Sequence, residues 1–335
     1  MGTRLSMSVK VGVYDKAIDE IAEPLDRLGL GIEILPYTAD GRFSRDGASA
    51  DPSNVDLHYL WFSPGLSRDG ALDQAFDLAL SLKSLDVLQT FNAGLDHPSY
   101  KKVADRGATI CNSSAQAIAI SEYVMAQVFA LFHPIADQRR LQAEKLWQRT
   151  PFREIAGTNW LIIGYGPIGR ATASRAKAFG ANVSVIRRTP QAGAGVDRVG
   201  TMADLAELLP AADVVILACP LNETTRGFAG TNFFSKVKTG AVLVNIARGG
   251  LIDDAALIEA LDDGRLDHAV LDVFHTEPLP GDNALWRHPK VRLTAHTSFA
   301  GDGVGGRWTE LFLDNVARYA RGEPLENRVD PADLT

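Results

Sequence analysis

Cysteine is nearly absent from this chain: two in 335 residues, Cys111 and Cys219, far apart and without CxxC spacing. A disulfide framework is thereby excluded as an organising device, and a reducing, cytoplasmic setting is the simpler expectation. A run of lysine and arginine is also missing, and the formal net charge is −7. Electrostatics therefore gives no support for nucleic acid as a partner. An anionic small substrate would need a local basic site, because the overall field opposes it. The most apolar stretch, Tyr123 to Phe132, falls short of the roughly 20 residues that span a bilayer, so no membrane association is expected. Residues Met1 to Met7 lack the apolar core of a signal peptide, and Met7 offers a second start. Neither a solenoid-period repeat nor a low-complexity tract is present. No histidine spacing suggests metal ligands.

What is present is ordinary globular composition, 46% hydrophobic and 22% charged, at a length that fits two domains better than one. Over the first hundred residues, short β-branched runs alternate with helical patterns. Val9–Tyr14, Ile32–Leu35, His58–Phe62 and Val87–Phe91 read as strands, and a helix through Ile18, Ile21 and Leu25 ends at Gly29. One long helix is expected from about Ala115 to Trp147, carrying Val124, Val128, Leu131 and Ile135 at helical spacing. From Trp160 onward a second alternating series begins. Leu161–Ile163, Val183–Ile186, Val214–Leu217, Val242–Val244, Ala269–Leu271 and Val291–Thr294 are near-continuous apolar runs. Such strands with helices between them predict an α/β protein with a doubly wound parallel sheet. A glycine-rich passage, Gly301 to Gly306, leads into a final helix over about Arg307 to Arg321 that is expected to return to the first domain.

Gly164-Tyr165-Gly166-Pro167-Ile168-Gly169 matches GxGxxG between an apolar strand and a helix that closes at Gly180. In that context the first glycine makes the tight turn and the second admits pyrophosphate to the backbone. The third lets helix and strand pack closely, with the helix N-terminus facing the anion. About 20 residues on, sites for NAD carry Asp or Glu to bind the ribose 2′-hydroxyl. Here stand Arg187, Arg188 and Thr189. Guanidinium binds a 2′-phosphate that a carboxylate would repel, so NADP(H) is expected in preference to NAD(H), with NAD(H) possible.

Three later strands each end in a polar residue: Arg248 in Asn245-Ile246-Ala247-Arg248-Gly249-Gly250, Glu277 after Leu271-Asp272-Val273-Phe274, and His296 in Leu293-Thr294-Ala295-His296. Taken singly, each reads equally well as a surface charge or a structural histidine. Behind a nucleotide turn they form a set that binds a carboxylate substrate and passes a proton to its carbonyl. Arg248 reaches carboxylate and carbonyl oxygens together. His296 is the candidate acid, and a carboxylate beside an imidazole favours the protonated form that carbonyl reduction needs. His275 is the rival imidazole.

In order and spacing, the glycine turn, Pro220-Leu221-Asn222-Glu223-Thr224, the Asn-Ile-Ala-Arg-Gly segment, Leu-Asp-Val-Phe-His-Thr-Glu-Pro and Thr-Ala-His resemble the D-isomer-specific 2-hydroxyacid dehydrogenases. Asn92-Ala93-Gly94-Leu95-Asp96 resembles that family's substrate-carboxylate loop, and Ser121-Glu122-Tyr123 its long-helix start. Arg187-Arg188-Thr189 and the tryptophans Trp61 and Trp147 look like the glyoxylate/hydroxypyruvate reductases within it.

The resemblance implies a Rossmann cofactor domain, residues 113–297, inserted in a flavodoxin-like substrate domain, residues 1–112 plus 298–335. It implies a homodimer with the long helix in the interface. It places Cys219, Pro220, Thr225, Ile246, Ala247, Arg248, Asp272 and His296 on the cofactor side. Ala93, Gly94, Leu95, Arg248, His296, Trp61 and Trp147 fall on the substrate side, the two tryptophans equally readable as packing residues. The expected activity is NADP(H)-dependent reduction of small 2-oxo acids to 2-hydroxy acids. The alternative is a nucleotide-sensing protein with little turnover, like the family's corepressors.

Overall fold

The computed structural model describes residues 8–45, 48–190 and 195–334. Residues 1–7, with the second start at Met7, lie outside the described residues. The chain divides into two compact units, Met1–Ala115 with Asp302–Thr335, and Gln116–Gly301.

The first unit holds a seven-stranded sheet. Its strands are β1 (Val9–Tyr14), β2 (Ile32–Tyr37), β3 (Phe43–Arg45), β4 (Ala48–Ala50), β5 (Asp56–Phe62), β6 (Ser84–Thr90) and β7 (Thr109–Cys111), in the order β4-β3-β2-β1-β5-β6-β7. The five strands from β2 to β7 pair in parallel, while β3 and β4 add an antiparallel edge. Between the strands run α1 (Ile18–Arg27), α2 (Gly65–Arg68), α3 (Leu72–Ser81) and α4 (Ser99–Asp105). Val11 and Val13 of β1 and Leu60 of β5 are fully buried, as a sheet covered on both faces requires.

The second unit carries α5 (Ala117–Phe132) and α6 (Ile135–Ala143), then an all-parallel sheet. Its strands are β8 (Asn159–Ile163), β9 (Asn182–Ile186), β10 (Arg198–Gly200), β11 (Val214–Leu217), β12 (Ala241–Asn245), β13 (Leu266–Leu271) and β14 (Val291–Leu293), with α7 (Pro167–Ala178), α8 (Leu205–Leu208), α9 (Thr231–Phe234) and α10 (Asp254–Asp262) between them. The order β10-β9-β8-β11-β12-β13-β14 reverses between β8 and β11. That switch opens a crevice at the carboxyl ends of the strands, where ligands of such sheets bind. Every residue of β11 and β12 is buried, which is why those runs carry no polar alternation.

The single long helix expected over Ala115–Trp147 is instead two helices whose axes differ by 57°. Pro134 causes the break. Its ring disfavours helical geometry at the residue before it, and His133 is extended, with φ −104° and ψ 132°. No single helix among the described residues is long and apolar enough to cross a membrane. Trp147 lies beyond α6, outside any helix, with its side chain in solvent.

After the glycine-rich passage, α11 (Val304–Arg321) rejoins the first unit and ends at Gly322 in the left-handed conformation. Its Phe312 stacks on Trp61 with ring centroids 4.2 Å apart. Asn315 donates to Gln89 of β6 and accepts from the Glu326 amide. The pocket-lining role expected for Trp61 is therefore not met. The residue is 2% exposed, because its side chain points to the face of β5 that α11 covers.

Candidate active site

The glycine turn follows β8 at the switch point. Gly164 has φ +108°, and a Cβ there would lie 2.4 Å from the Ala218 carbonyl oxygen at the end of β11. A Cβ on Gly169 would lie 2.1 Å from the Gly164 oxygen. Those two positions are closed to any side chain. Gly166 differs: a Cβ would meet nothing within 4 Å, so its lack of a side chain leaves the backbone open to an outside group. Pro167 opens α7, and no side chain caps that helix. Uncapped first-turn amides and the helix dipole suit a pyrophosphate, so Gly164 to Gly169 fit the nucleotide cofactor.

At the end of β9 the Arg187 amide donates to Gly200. The Arg187 guanidinium stands 5.9 Å from the centre of the Tyr165 ring. Arg188 and Thr189 are exposed beside it. The first carboxylate after β9 is Asp197, held at the opposite end of the strand by Lys177 and the Val183 amide. Among the described residues, the first carboxylate after β9 is therefore held away from the strand end where a ribose 2′-hydroxyl would need one.

Past β11, Cys219 and Pro220 enter a turn built around Asn222, whose Oδ1 accepts from the amides of Thr224 and Thr225. Thr225, expected on the cofactor side, uses its hydroxyl within the turn, donating to the Pro220 carbonyl at 2.8 Å and accepting from the Asn222 amide. It shapes the loop that carries Pro220. Burial pushes the Cys219 thiol up to about 11, so it remains a neutral thiol. Ile246 is likewise a core residue, 5% exposed, with only its backbone at the strand end.

The three polar strand ends occupy neighbouring strands β12, β13 and β14. Asn245, fully buried, folds the first loop: its side-chain amide donates to the Arg248 carbonyl at 2.9 Å and its Oδ1 accepts from the Ala247 amide. Arg248 Nη1 donates to the Ala247 carbonyl at 2.6 Å, which sets the root of the guanidinium. A Cβ on Gly249 would stand 2.0 Å from the Phe274 carbonyl carbon, so this loop presses directly on the one that carries Glu277. There Glu277 Oε1 accepts from the Phe274 amide at 2.9 Å, and Oε2 meets His296 Nδ1 at 2.7 Å. His296 and Glu277 side chains are 43% and 36% exposed, so the imidazole is anchored at one nitrogen and open at the other. The rival His275 is also exposed, but its Nε2 meets the Ile252 carbonyl, and among the described residues it has no glutamate partner like that of His296.

Asp272, expected on the cofactor side, is fully buried. Its Oδ1 accepts from the Thr294 hydroxyl and the Thr297 amide, and its Oδ2 from the Ser298 amide. Sequence reading missed that tie, and with it Asn245 and Thr294, although both stand inside motifs it quoted. It also passed over Phe299, whose ring lies 6.1 Å from that of His296. A three-residue step from the imidazole to an exposed aromatic was the available signal.

In the first unit, β6 runs into the Asn92–Asp96 loop. Asn92 donates to the Tyr100 hydroxyl, its carbonyl accepts from the Ser113 amide, and Asn112 donates to the Ala93 carbonyl at 2.7 Å. Among the described residues no acceptor takes the amide hydrogens of Ala93, Gly94 or Leu95, all of them part-exposed. They form a row of donors suited to a carboxylate. No three His, Cys, Asp or Glu side chains among the described residues are arranged to hold a metal ion.

Comparison with known proteins bears on this geometry. Residues 125–298 match the family described as D-isomer specific 2-hydroxyacid dehydrogenase, NAD binding domain. D-3-phosphoglycerate dehydrogenase of Bacillus subtilis (strain 168) is 30% identical over 77% of this chain, which spans about half that relative's length, 50%. Glyoxylate/hydroxypyruvate reductase A of Salmonella heidelberg (strain SL476) is 29% identical over 86% of this chain and 90% of its own. A D-isomer specific 2-hydroxyacid dehydrogenase from Xanthobacter autotrophicus Py2, solved with NADPH and MES, matches with a TM-score of 0.74 at 25% identity, covering 98% of this chain and 99% of that one. With a buried parallel sheet, a glycine turn at its switch point and a histidine–glutamate pair after the last two strands, β13 and β14, the chain belongs to the D-isomer-specific 2-hydroxyacid dehydrogenase family.

Proposed function

We propose that this protein reduces small 2-oxo acids, of the size of glyoxylate and hydroxypyruvate, to D-2-hydroxy acids, with NADPH preferred over NADH. The observation that carries the reading is the 2.7 Å contact between Glu277 Oε2 and His296 Nδ1. A carboxylate accepts only, so Nδ1 carries a hydrogen and Nε2 faces outward. In the protonated ring Nε2 donates its proton to the substrate carbonyl oxygen as that oxygen gains charge. In the reverse direction the neutral ring presents a lone pair at Nε2 and takes the hydroxyl proton. The Phe274 amide on Glu277 Oε1 keeps the carboxylate in place through both states. Arg248 binds the substrate carboxylate and polarises the carbonyl. NADPH, when bound, supplies the hydride.

The cofactor preference rests on Arg187 and Arg188 and on the absence of a carboxylate at the end of β9. The NADPH bound to the similar Xanthobacter protein, and the activity in the name of the Salmonella relative, support the same reading. A homodimer accompanies it, with the solvent-exposed Trp147 offered to the partner's substrate pocket.

A panel of 2-oxo acids assayed with each cofactor tests the proposal. A charge-assisted contact to the 2′-phosphate predicts kcat/KM roughly tenfold to a hundredfold higher with NADPH. Equal efficiency with NADH would overturn the cofactor assignment, and failure to turn over any 2-oxo acid would overturn the reaction.

A further inference from the structure

His296 stands at φ +49°, one of only three non-glycine residues with positive φ among the described residues. A side chain at that φ crowds its own backbone, so something outside the residue must hold it there. Asp272 does so from the end of β13. Its carbonyl accepts the His296 amide at 2.8 Å, and its carboxylate accepts the next two amides, Thr297 and Ser298, at 2.8 and 3.0 Å. One residue thus clamps three consecutive N–H groups.

The clamp is itself anchored. Thr294 Oγ1 lies 2.6 Å from Asp272 Oδ1, and the Tyr123 hydroxyl lies 2.7 Å from Thr294 Oγ1. A carboxylate offers no hydrogen, so the threonine hydroxyl must donate to Asp272. Its remaining lone pair must then accept from Tyr123. Burial pushes the tyrosine phenol up to about 12, which keeps it a donor over the working range. The chain of bonds therefore has one direction, from Tyr123 on α5 through Thr294 to Asp272. It joins a helix to a loop 171 residues away in sequence.

We infer that Tyr123 and Thr294 are positioning residues for the reaction: their hydroxyl pair locks the Asp272 clamp that holds His296 in its left-handed conformation and aims its imidazole. The inference rests on His296 acting as the proton donor. Neither hydroxyl touches the reacting atoms, and both act through Asp272.

Three variants test it: Tyr123→Phe, Thr294→Val, which keeps the shape and removes both bonds, and Thr294→Ser, which keeps the hydroxyl. Two readouts are taken on each folded variant. The first is amide hydrogen exchange at Thr297 and Ser298 in the substrate-free protein. The second is kcat and KM for glyoxylate with NADPH. Loss of one buried hydrogen bond predicts exchange faster by up to about tenfold in Tyr123→Phe, and more in Thr294→Val. The same loss predicts a kcat lower by a similar factor, with KM within about twofold. Thr294→Ser should behave like the parent in both.

Unchanged exchange in Tyr123→Phe overturns the inference. So does faster exchange with undiminished kcat, which would make the clamp structural only. Equal damage from Thr294→Ser and Thr294→Val would point to shape rather than hydrogen bonding, and overturns it as well. If the parent reduces no 2-oxo acid, the exchange readout still decides the clamp, and only the proposed reaction falls.

Discussion

At the scale of single residues, the division of labour between Glu277 and His296 is set by which atoms are left over. Both Glu277 oxygens are engaged, one by the Phe274 amide and one by the imidazole, so the carboxylate is fixed and the ring inherits its orientation. Glu277→Gln keeps the shape and removes the negative charge. His296 Nδ1 then meets a neutral amide, and the charge-assisted bond that aims the ring is lost. If the imidazole acts as proposed, kcat for 2-oxo acid reduction should fall roughly tenfold to a hundredfold while KM changes little. Steady-state kinetics check this, and an unchanged kcat would remove Glu277 from the reaction. Among the residues read from sequence, Glu277 and His296 were legible as a pair because their motifs end neighbouring strands, and the structure brings their side chains together. Trp61 was readable equally as pocket or as packing, because a position in the chain does not say which way a side chain faces; it turns to the core.

At the scale of elements, the site consists of three loops held in register by backbone contact. Gly249 is the tightest point, with the Phe274 carbonyl group where its Cβ would be. Gly249→Ala must push the Arg248 loop off the Glu277 loop. A displacement on the order of 1 Å is enough to cost roughly a hundredfold in rate. Activity with intact thermal unfolding would read this; a fully active alanine variant would show that the loops separate without consequence. Long apolar strands such as β11 and β12 were readable because burial on both faces leaves one kind of residue. β7 and β10 are three residues long and β3 and β4 pair at an edge, so none carries enough pattern to separate it from a loop. The break between α5 and α6 was written at Pro134 and was overridden by the apolar spacing around it. The Tyr123–Thr294 bond was not readable at all, since nothing local in either segment names a partner 171 residues away.

At the scale of the whole molecule, the first unit is discontinuous. Its sheet comes from the first 115 residues, yet Phe312, Val316 and Asn315 of α11 close one face of it. The second unit is one uninterrupted stretch, Gln116–Gly301. During synthesis the second unit can therefore complete its core while the first still lacks the helix that covers Trp61 and Tyr59. The segment made first should be the last to become protease-resistant. Ribosome-bound chains stalled with residue 301 outside the exit tunnel should yield a protected fragment over about 116–301, while residues 1–115 are still cut. Protection of residues 1–115 should begin only once α11 has emerged. Chains protected from the N-terminus onward would contradict this order. The stacking of Phe312 on Trp61, a packing detail in the finished protein, thus acts as a timing device that leaves the older half of the nascent chain waiting for its final helix.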